Sequence, residues 1–275
     1  MIPHAISSSA SGAQPASADA GEAGPALPHL PTTPAFFLLA HHDDELFIAA
    51  TMRRLARQGP VAVLWLSQGG LGGPRRPAES VRSMDIIGVP RRNLFFLRLP
   101  DNRLLDYLPE IVERLRRLFI RWQPASVFVP AFEGGHQDHD TAQLAAALAL
   151  ARLEPRSRRQ PRLYEFPLYR RRAGRLLAVG SLLEDPAAPV QQTSMELRDR
   201  LLKQKLARVY ASQRLIVYPL LAIKGGPMML HPRGEPYREV PPGRDYTAPP
   251  HPGRPAYEYF TRRRFGRFAA RAANS

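Results

Sequence analysis

The chain has 275 residues, of which 44% are hydrophobic, so it is long enough for one large α/β domain or two small ones. It contains no cysteine, which excludes disulfides, thiolate metal sites and cysteine nucleophiles, and leaves His, Asp and Glu as metal ligands. The net charge of +15 would suit an anionic substrate, acidic lipid or nucleic acid, although the scattered arginines favour a generally basic surface. No apolar run is long enough to predict a membrane span.

Residues 1–34 are rich in Ala, Ser, Pro and Gly and have no hydrophobic period, which predicts a disordered N-terminal tail. They lack the basic start and apolar centre of a secretory signal, so we expect a cytoplasmic location. Residues 35–275 are expected to form a single domain.

From residue 35 onward, strand-like and helix-like segments alternate. The predicted strands are "AFFLLA", "VAVLWLS", "NLFFLRL" and "ASVFVP", and the predicted helices are residues 45–58, "PAESVRSMDIIG", "YLPEIVERLRRLFIRW" and "DTAQLAAALALARL". Strands separated by helices predict a Rossmann-like, doubly wound, mostly parallel sheet with the strand order 3-2-1-4.

The pattern is weaker beyond residue 160. "LYEFPLYR" suggests a fifth strand and "SMELRDRLLKQKLARVYASQ" a helix. Residues 225–256 are dense in Pro and Gly and predict a long loop, and "AYEYFTRR" predicts a last short ordered element.

Two clusters of histidines and carboxylates follow predicted strands one and four. "AHHDDE" occupies residues 40–45, and "EGGHQDHD" occupies residues 133–140. In the predicted order these strands are neighbours, and their carboxyl ends flank the crevice where such sheets bind ligands. We therefore expect the two clusters to face each other.

The two clusters together contain the donors of a catalytic zinc site. His41 and Asp44 are spaced i, i+3, and His139 can supply a third ligand, leaving a position for water. Asp43 would be free to take a proton from that water, and His136 to donate to an oxyanion or leaving group. Taken singly, the carboxylates could merely favour a helix N-terminus, and the histidines could be ordinary loop residues.

The same residues resemble the PIG-L, or LmbE-like, zinc-dependent deacetylases. "AHHDDE" is similar to that family's AHPDDE motif and "GGHQDHD" to its second motif, and weaker likeness continues to "KLARVYASQ" at Gln213. The resemblance implies an LmbE-like fold and removal of an N-acetyl group from an amino sugar by metal-activated water. It implies one zinc ion per chain on the three predicted ligands, or another divalent metal in its place.

The resemblance also assigns roles by position. It makes Asp43 the general base, His136 the electrostatic or acid partner, and Asp138 a carboxylate that supports a site histidine from behind. The chain departs from the family pattern at His42, where proline is usual. It also has Gly70 where many relatives have glutamate, and Gly134 where some have tyrosine.

Two further residues have two interpretations each. Arg76 could form an ordinary ion pair on a helix surface or reach into the crevice to bind substrate. Asp101 could be a turn residue or a sugar contact at the ligand side of strand three. We predict substrate contacts for both.

Two other functions fit the sequence. One is an amidase for a different acylated small molecule, such as a thiol-sugar conjugate or an antibiotic. The other is a basic nucleic-acid-binding protein on a degenerate enzyme fold, which would need no zinc and would bind with a steep salt dependence. The leading prediction is a small N-acyl amino-sugar substrate, anionic if the basic surface contributes, rather than nucleic acid.

Overall fold

The computed structural model describes residues 30–70, 73–154, 160–171, 177–186, 188–214, 234–261 and 263–275. Most of the predicted disordered tail therefore lies outside the described residues. The last residues of that segment are described, and Ser126 Oγ donates a hydrogen bond to the Thr32 carbonyl oxygen at 2.7 Å.

A seven-stranded sheet forms the centre of the molecule. The strands of the described chain are β1 Ala35–Leu39, β2 Val61–Ser67, β3 Leu94–Leu99, β4 Ser126–Pro130, β5 Arg162–Phe166, β6 Tyr169–Arg171, β7 Leu177–Val179, β8 Gln191–Thr193 and β9 Glu235–Glu239. The order of strands across the sheet is β3-β2-β1-β4-β5-β9-β8. Strands β1 to β5 pair in parallel, β9 is antiparallel to β5 and β8, and β6 and β7 form a separate antiparallel pair. The predicted order 3-2-1-4 and the mostly parallel sheet are confirmed.

Helices cover both faces of this sheet. They are α1 Ala49–Gln58, α2 Arg75–Ile87, α3 Leu108–Trp122, α4 Gln137–Ala151, α5 Leu197–Val209, α6 Tyr257–Phe260 and α7 Phe265–Ala273. Helices α1, α2 and α5 pack together on one face, and α4 contacts both α3 and α7 on the other. None of the described helices combines the length and apolar character that crossing a membrane requires.

Hydrophobic residues explain why the sheet lies in the middle. Every residue of β1, β2 and β4 is buried, as expected for inner parallel strands covered on both faces. Alternate residues point to opposite faces, so Phe37 and Leu39 join the core under α1 and α5, while Phe36 and Leu38 join the core under α3 and α4.

Several predicted boundaries differ from the structure. The segment after β1 begins as a 3₁₀ turn, Asp44–Phe47, before α1 starts at Ala49. "LYEFPLYR" forms two strands, β5 and β6, on either side of Pro167, which has no N–H to continue a ladder.

The C-terminal region is also more ordered than its composition suggested. Within the predicted loop, residues 225–233 lie outside the described residues, and Glu235–Glu239 form strand β9 in the main sheet. The predicted last element is α6, and α7 follows it, with Phe265 and Phe268 buried. Pro and Gly density therefore indicated turns correctly but obscured a short strand between them.

Candidate functional site

The two acidic-histidine clusters meet at the carboxyl edge of the sheet. β1 and β4 pair in parallel, with Phe36 opposite Val127 and Phe37 opposite Phe128. Because parallel neighbours end at the same edge, the segments that follow them are brought together. His139 lies in the first turn of α4, which begins at Gln137, rather than in the loop where the sequence pattern put it.

Three side-chain atoms from the two clusters converge. His41 Nδ1 lies 3.0 Å from His139 Nε2 and 3.9 Å from Asp44 Oδ1, and His139 Nε2 lies 3.3 Å from Asp44 Oδ1. Zinc bonds of about 2.0–2.1 Å in a tetrahedral site require ligand atoms about 3.3 Å apart. The three separations bracket that value, and all three residues are buried. This donor set therefore fits a divalent metal ion.

Asp138 and Asp101 hold the other nitrogen of His41. His41 Nε2 lies 3.0 Å from Asp101 Oδ1 and 3.3 Å from Asp138 Oδ2. Such carboxylates fix the tautomer and orientation of a metal-binding imidazole. Asp138 also accepts hydrogen bonds from the backbone N–H groups of Asn102 and Leu104 at 2.7 and 3.1 Å, so it ties the segment after β3 to the site. His41, His136 and Asp138 form a second group of converging donors.

Asp43 occupies a strained turn beside the three converging atoms. Its φ angle is 99°, in the left-handed region of backbone conformation that residues other than glycine rarely adopt. Such conformations persist where the surrounding structure enforces them, often at functional sites. Two contacts do so here: the Asp43 N–H donates to Glu45 at 3.2 Å, and Arg76 pairs with its carboxylate at 2.9 Å. Burial raises the pKa of Asp43 to about 7, although Arg76 acts to lower it.

Arg76 enters the site instead of pairing along the surface of its helix. Its guanidinium is buried, and besides Asp43 it donates to the backbone carbonyl oxygens of Gly69, at 2.9 Å, and His42. Glu79, one turn further along the helix, forms no ion pair with Arg76 and accepts hydrogen bonds from Ser212. Whether Arg76 also touches a substrate stays a prediction.

His136 caps helix α4 with its Nδ1 atom, which leaves its Nε2 atom available to the site. Its Nδ1 accepts a hydrogen bond from the Asp138 N–H at 3.1 Å. In a neutral imidazole the proton is then on Nε2, which becomes a donor. Burial and the neighbouring His41 lower the pKa of His136 to about 3, so the neutral form dominates. His136 is thus arranged as a neutral donor; its ring lies 4.6 Å from the His41 ring, centroid to centroid.

His42 points away from the three converging atoms. Its ring stacks on Trp65 and Phe96, and its Nδ1 lies 2.6 Å from Ser80 Oγ. Burial, together with the nearby Arg76, lowers the pKa of His42 to about 3. The side chain therefore acts as an aromatic core residue, which accounts for an imidazole where the resembling family has proline.

Two glycines leave room for neighbouring groups. A Cβ at Gly70 would overlap the Asp101 carboxylate, so the missing side chain is what allows Asp101 to approach His41. A Cβ at Gly134 would come within 3.2–3.4 Å of Pro255, Pro250 and His251, in the segment that lies over this loop.

The sequence patterns gave no role to several residues that shape the site. Glu45 is fully buried and accepts from the Tyr210 hydroxyl, and that hydroxyl also lies 3.0 Å from Ser80 Oγ. Tyr169 packs its ring against His139 at 5.6 Å between centroids. Glu45 is the last letter of "AHHDDE" and Tyr210 lies within "KLARVYASQ", so both stand in segments that the resemblance covers, whereas Tyr169 lies outside them.

Gly135 is expected to be intolerant of a side chain. A Cβ there would clash with the backbone carbonyl oxygen of Tyr169, so either β6 or the loop carrying His136 must move. We expect Gly135→Ala to lower the free energy of unfolding by about 1–3 kcal/mol, measured by chemical denaturation. Gly266→Ala is the matched control, because a Cβ at this α7 position meets nothing within 4 Å. Equal stability of the two variants would contradict the proposed close approach.

Comparisons with known proteins support the family resemblance of this chain. Residues 36–150 match the family model described as "PIG-L: GlcNAc-PI de-N-acetylase". No curated protein sequence matches the chain.

Solved structures share the fold at low sequence identity. A conserved protein from Thermus thermophilus is 23% identical, with a TM-score of 0.57, over 76% of this chain and 95% of that one. N,N'-diacetylchitobiose deacetylase from Pyrococcus horikoshii is 19% identical, with a TM-score of 0.54, over 75% and 83%. A teicoplanin deacetylase in a zinc-inhibited form is 14% identical, with a TM-score of 0.53, over 74% and 97%. Residues 36–150 are thus similar to the PIG-L family, and the mostly parallel sheet of the chain has the LmbE-like deacetylase fold.

Proposed function

We propose that this protein is a zinc-dependent hydrolase that removes the acetyl group from an N-acetylated amino sugar or amino-sugar conjugate. The observation that carries the proposal is the convergence of His41 Nδ1, Asp44 Oδ1 and His139 Nε2, with the Asp43 carboxylate beside them. The family match supports N-deacetylation as the reaction, and the chitobiose and teicoplanin deacetylases among the similar folds support a sugar-containing substrate.

His41, Asp44 and His139 would hold one metal ion per chain. A zinc ion bound there would supply Lewis-acid activation of water and of the amide carbonyl. The chain's own residues do the rest of the chemistry. Asp101 and Asp138 orient the His41 ring, and Arg76 keeps the Asp43 carboxylate fixed through its ion pair.

Asp43 and His136 have complementary tasks in this proposal. Asp43 accepts a proton from the attacking water and later returns it to the amide nitrogen. His136, with its proton on Nε2, donates a hydrogen bond to the oxyanion that develops on the acetyl carbonyl. The C–N bond then breaks, and acetate and a free amine are released.

Acetate release tests the proposal directly. The purified protein is incubated with a panel of N-acetylated amino sugars, before and after treatment with a chelator. We expect release of acetate and free amine in equal amounts, loss of activity after chelation and recovery when zinc is added back. Activity unchanged by chelation would contradict metal dependence, and hydrolysis of another acylated amine but of no N-acetyl sugar would favour the broader amidase function.

A further inference from the structure

A basic groove lies on the outer surface of helices α2 and α5. It is open and has a volume of about 710 Å³. Its cationic lining residues, all exposed, are Arg75, Arg82, Lys205, Arg208 and Arg214. We call these residues and the space between them the α2–α5 groove.

The charge of this groove is not neutralised by the described part of the chain. Its one lining carboxylate, Glu79, is engaged by the N–H and the hydroxyl of Ser212, at 3.1 and 2.5 Å. None of the five cations forms an ion pair with a carboxylate of the described residues. The undescribed segments that adjoin these helices in sequence, residues 71–72 and 215–233, contain no Asp or Glu. The five cations and the one carboxylate leave the groove with a net charge of about +4, which favours an anionic ligand.

The lining residues of α2 extend along most of that helix, from Arg75 to Ile86. Glu79, near the start of α2, accepts hydrogen bonds from Ser212, just beyond the end of α5, so the two helices border the same groove. From Arg75 to Ile86 the α2 wall extends about 16 Å at 1.5 Å per residue. This length exceeds what a single phosphate would need.

Helix α2 contributes residues to both the groove and the candidate active site. Arg75 is the neighbour of Arg76, whose guanidinium pairs with Asp43. Glu79 lies one helical turn beyond Arg76. Helix α2 therefore presents Arg76 to the candidate site and Arg75 and Arg82 to the groove, so a ligand in the groove lies on the helix that also borders the site.

Size and chemistry narrow the class of ligand. The groove volume lies within the roughly 300–1,000 Å³ of small-molecule pockets, which favours a small ligand over a nucleic acid. Four of the five cations are arginines, and a single planar guanidinium group can bind two phosphate oxygens at once. We propose that the α2–α5 groove binds the diphosphate of an amino sugar linked through a diphosphate ester, such as a nucleoside diphosphate sugar. The diphosphate binding stands alone; the sugar part of the proposal rests on the proposed deacetylase function.

Binding of inorganic pyrophosphate and of uridine diphosphate, measured by titration calorimetry, tests the groove without reference to activity. We expect saturable binding that Arg82→Ala/Arg208→Ala weakens by at least about tenfold. Arg57→Ala/Arg92→Ala is the matched control, since it removes the same charge from exposed arginines outside the groove, and it should bind as the parent does. No saturable binding, or equal weakening in both double variants, would overturn the proposal. So would binding of a single-stranded oligonucleotide that pyrophosphate does not displace, which would indicate a nucleic-acid surface.

The substrate part has its own measurement. With uridine diphosphate N-acetylglucosamine, the groove double variant should raise KM by at least about tenfold with little change in kcat. The same variant should hydrolyse free N-acetylglucosamine as the parent does. If the parent releases acetate from free sugars but the variant leaves KM for the diphosphate-linked sugar unchanged, the groove does not bind substrate and the proposed function still stands. If no N-acetyl sugar is hydrolysed at all, the proposed function fails, and the binding titration alone decides whether the groove takes diphosphate.

Discussion

Asp44→Asn is expected to release the metal ion and abolish most of the acetate-releasing activity. The Asp44 carboxylate brings the only negative charge among the three converging donors, and its Oδ1 lies 3.3 Å from His139 Nε2. Loss of a partner that merely supports a ligand costs roughly 10–100-fold in metal affinity, so loss of the ligand charge should cost more than about 100-fold. The isosteric asparagine can still accept the His41 N–H, which Asp44 Oδ2 binds at 2.9 Å, so the turn should survive.

Metal content per chain and the rate of acetate release are the two measurements. Asp85→Asn is the matched control, because it removes the same charge from an exposed carboxylate that pairs only with Arg91. The control should keep about one metal ion per chain and the parental rate. A variant Asp44→Asn that still held its metal as tightly as the parent would show that Asp44 is not a ligand.

Asp43→Asn is expected to cause the second large loss of activity, but without the loss of metal expected for Asp44→Asn. The asparagine oxygen can still accept from Arg76, and Asp43 is not among the converging ligand atoms, so metal binding should persist. The amide cannot take a proton, and removal of a general base costs on the order of 10²–10⁴-fold in rate. We therefore expect kcat to fall by that factor at unchanged metal content.

The comparison between the two variants separates the two roles. Each sample is analysed for metal and for acetate release, and circular dichroism verifies that the fold is retained. Hydrolysis by Asp43→Asn at the parental rate would refute its role as base. Loss of metal from that variant would instead assign Asp43 to metal binding.

The fold was predictable because hydrophobic periodicity is a local property of the chain. Fully apolar runs such as β1, with an amphipathic α3 between later strands, predict inner parallel strands and covering helices. The same pattern predicts that β1 and β4 are neighbours in the sheet. His41 and His139, which follow these two strands, are therefore expected to lie close together. The segment 225–256 was harder, because Pro and Gly density hides a short strand such as β9 that is held by pairing with β5 and β8.

The sequence by itself therefore determined the order of the central strands, the edge at which both clusters lie and the donor types available there. Only the tertiary structure decided where individual side chains point. It placed the His42 ring in the core against Trp65 and the Arg76 guanidinium at Asp43, and it brought Arg75 and Arg82 of α2 into the same groove as Arg208 of α5. The physical reason is that the backbone pattern follows from neighbouring residues, whereas a side chain's direction and partners depend on segments that are far away in the chain and meet only when it folds.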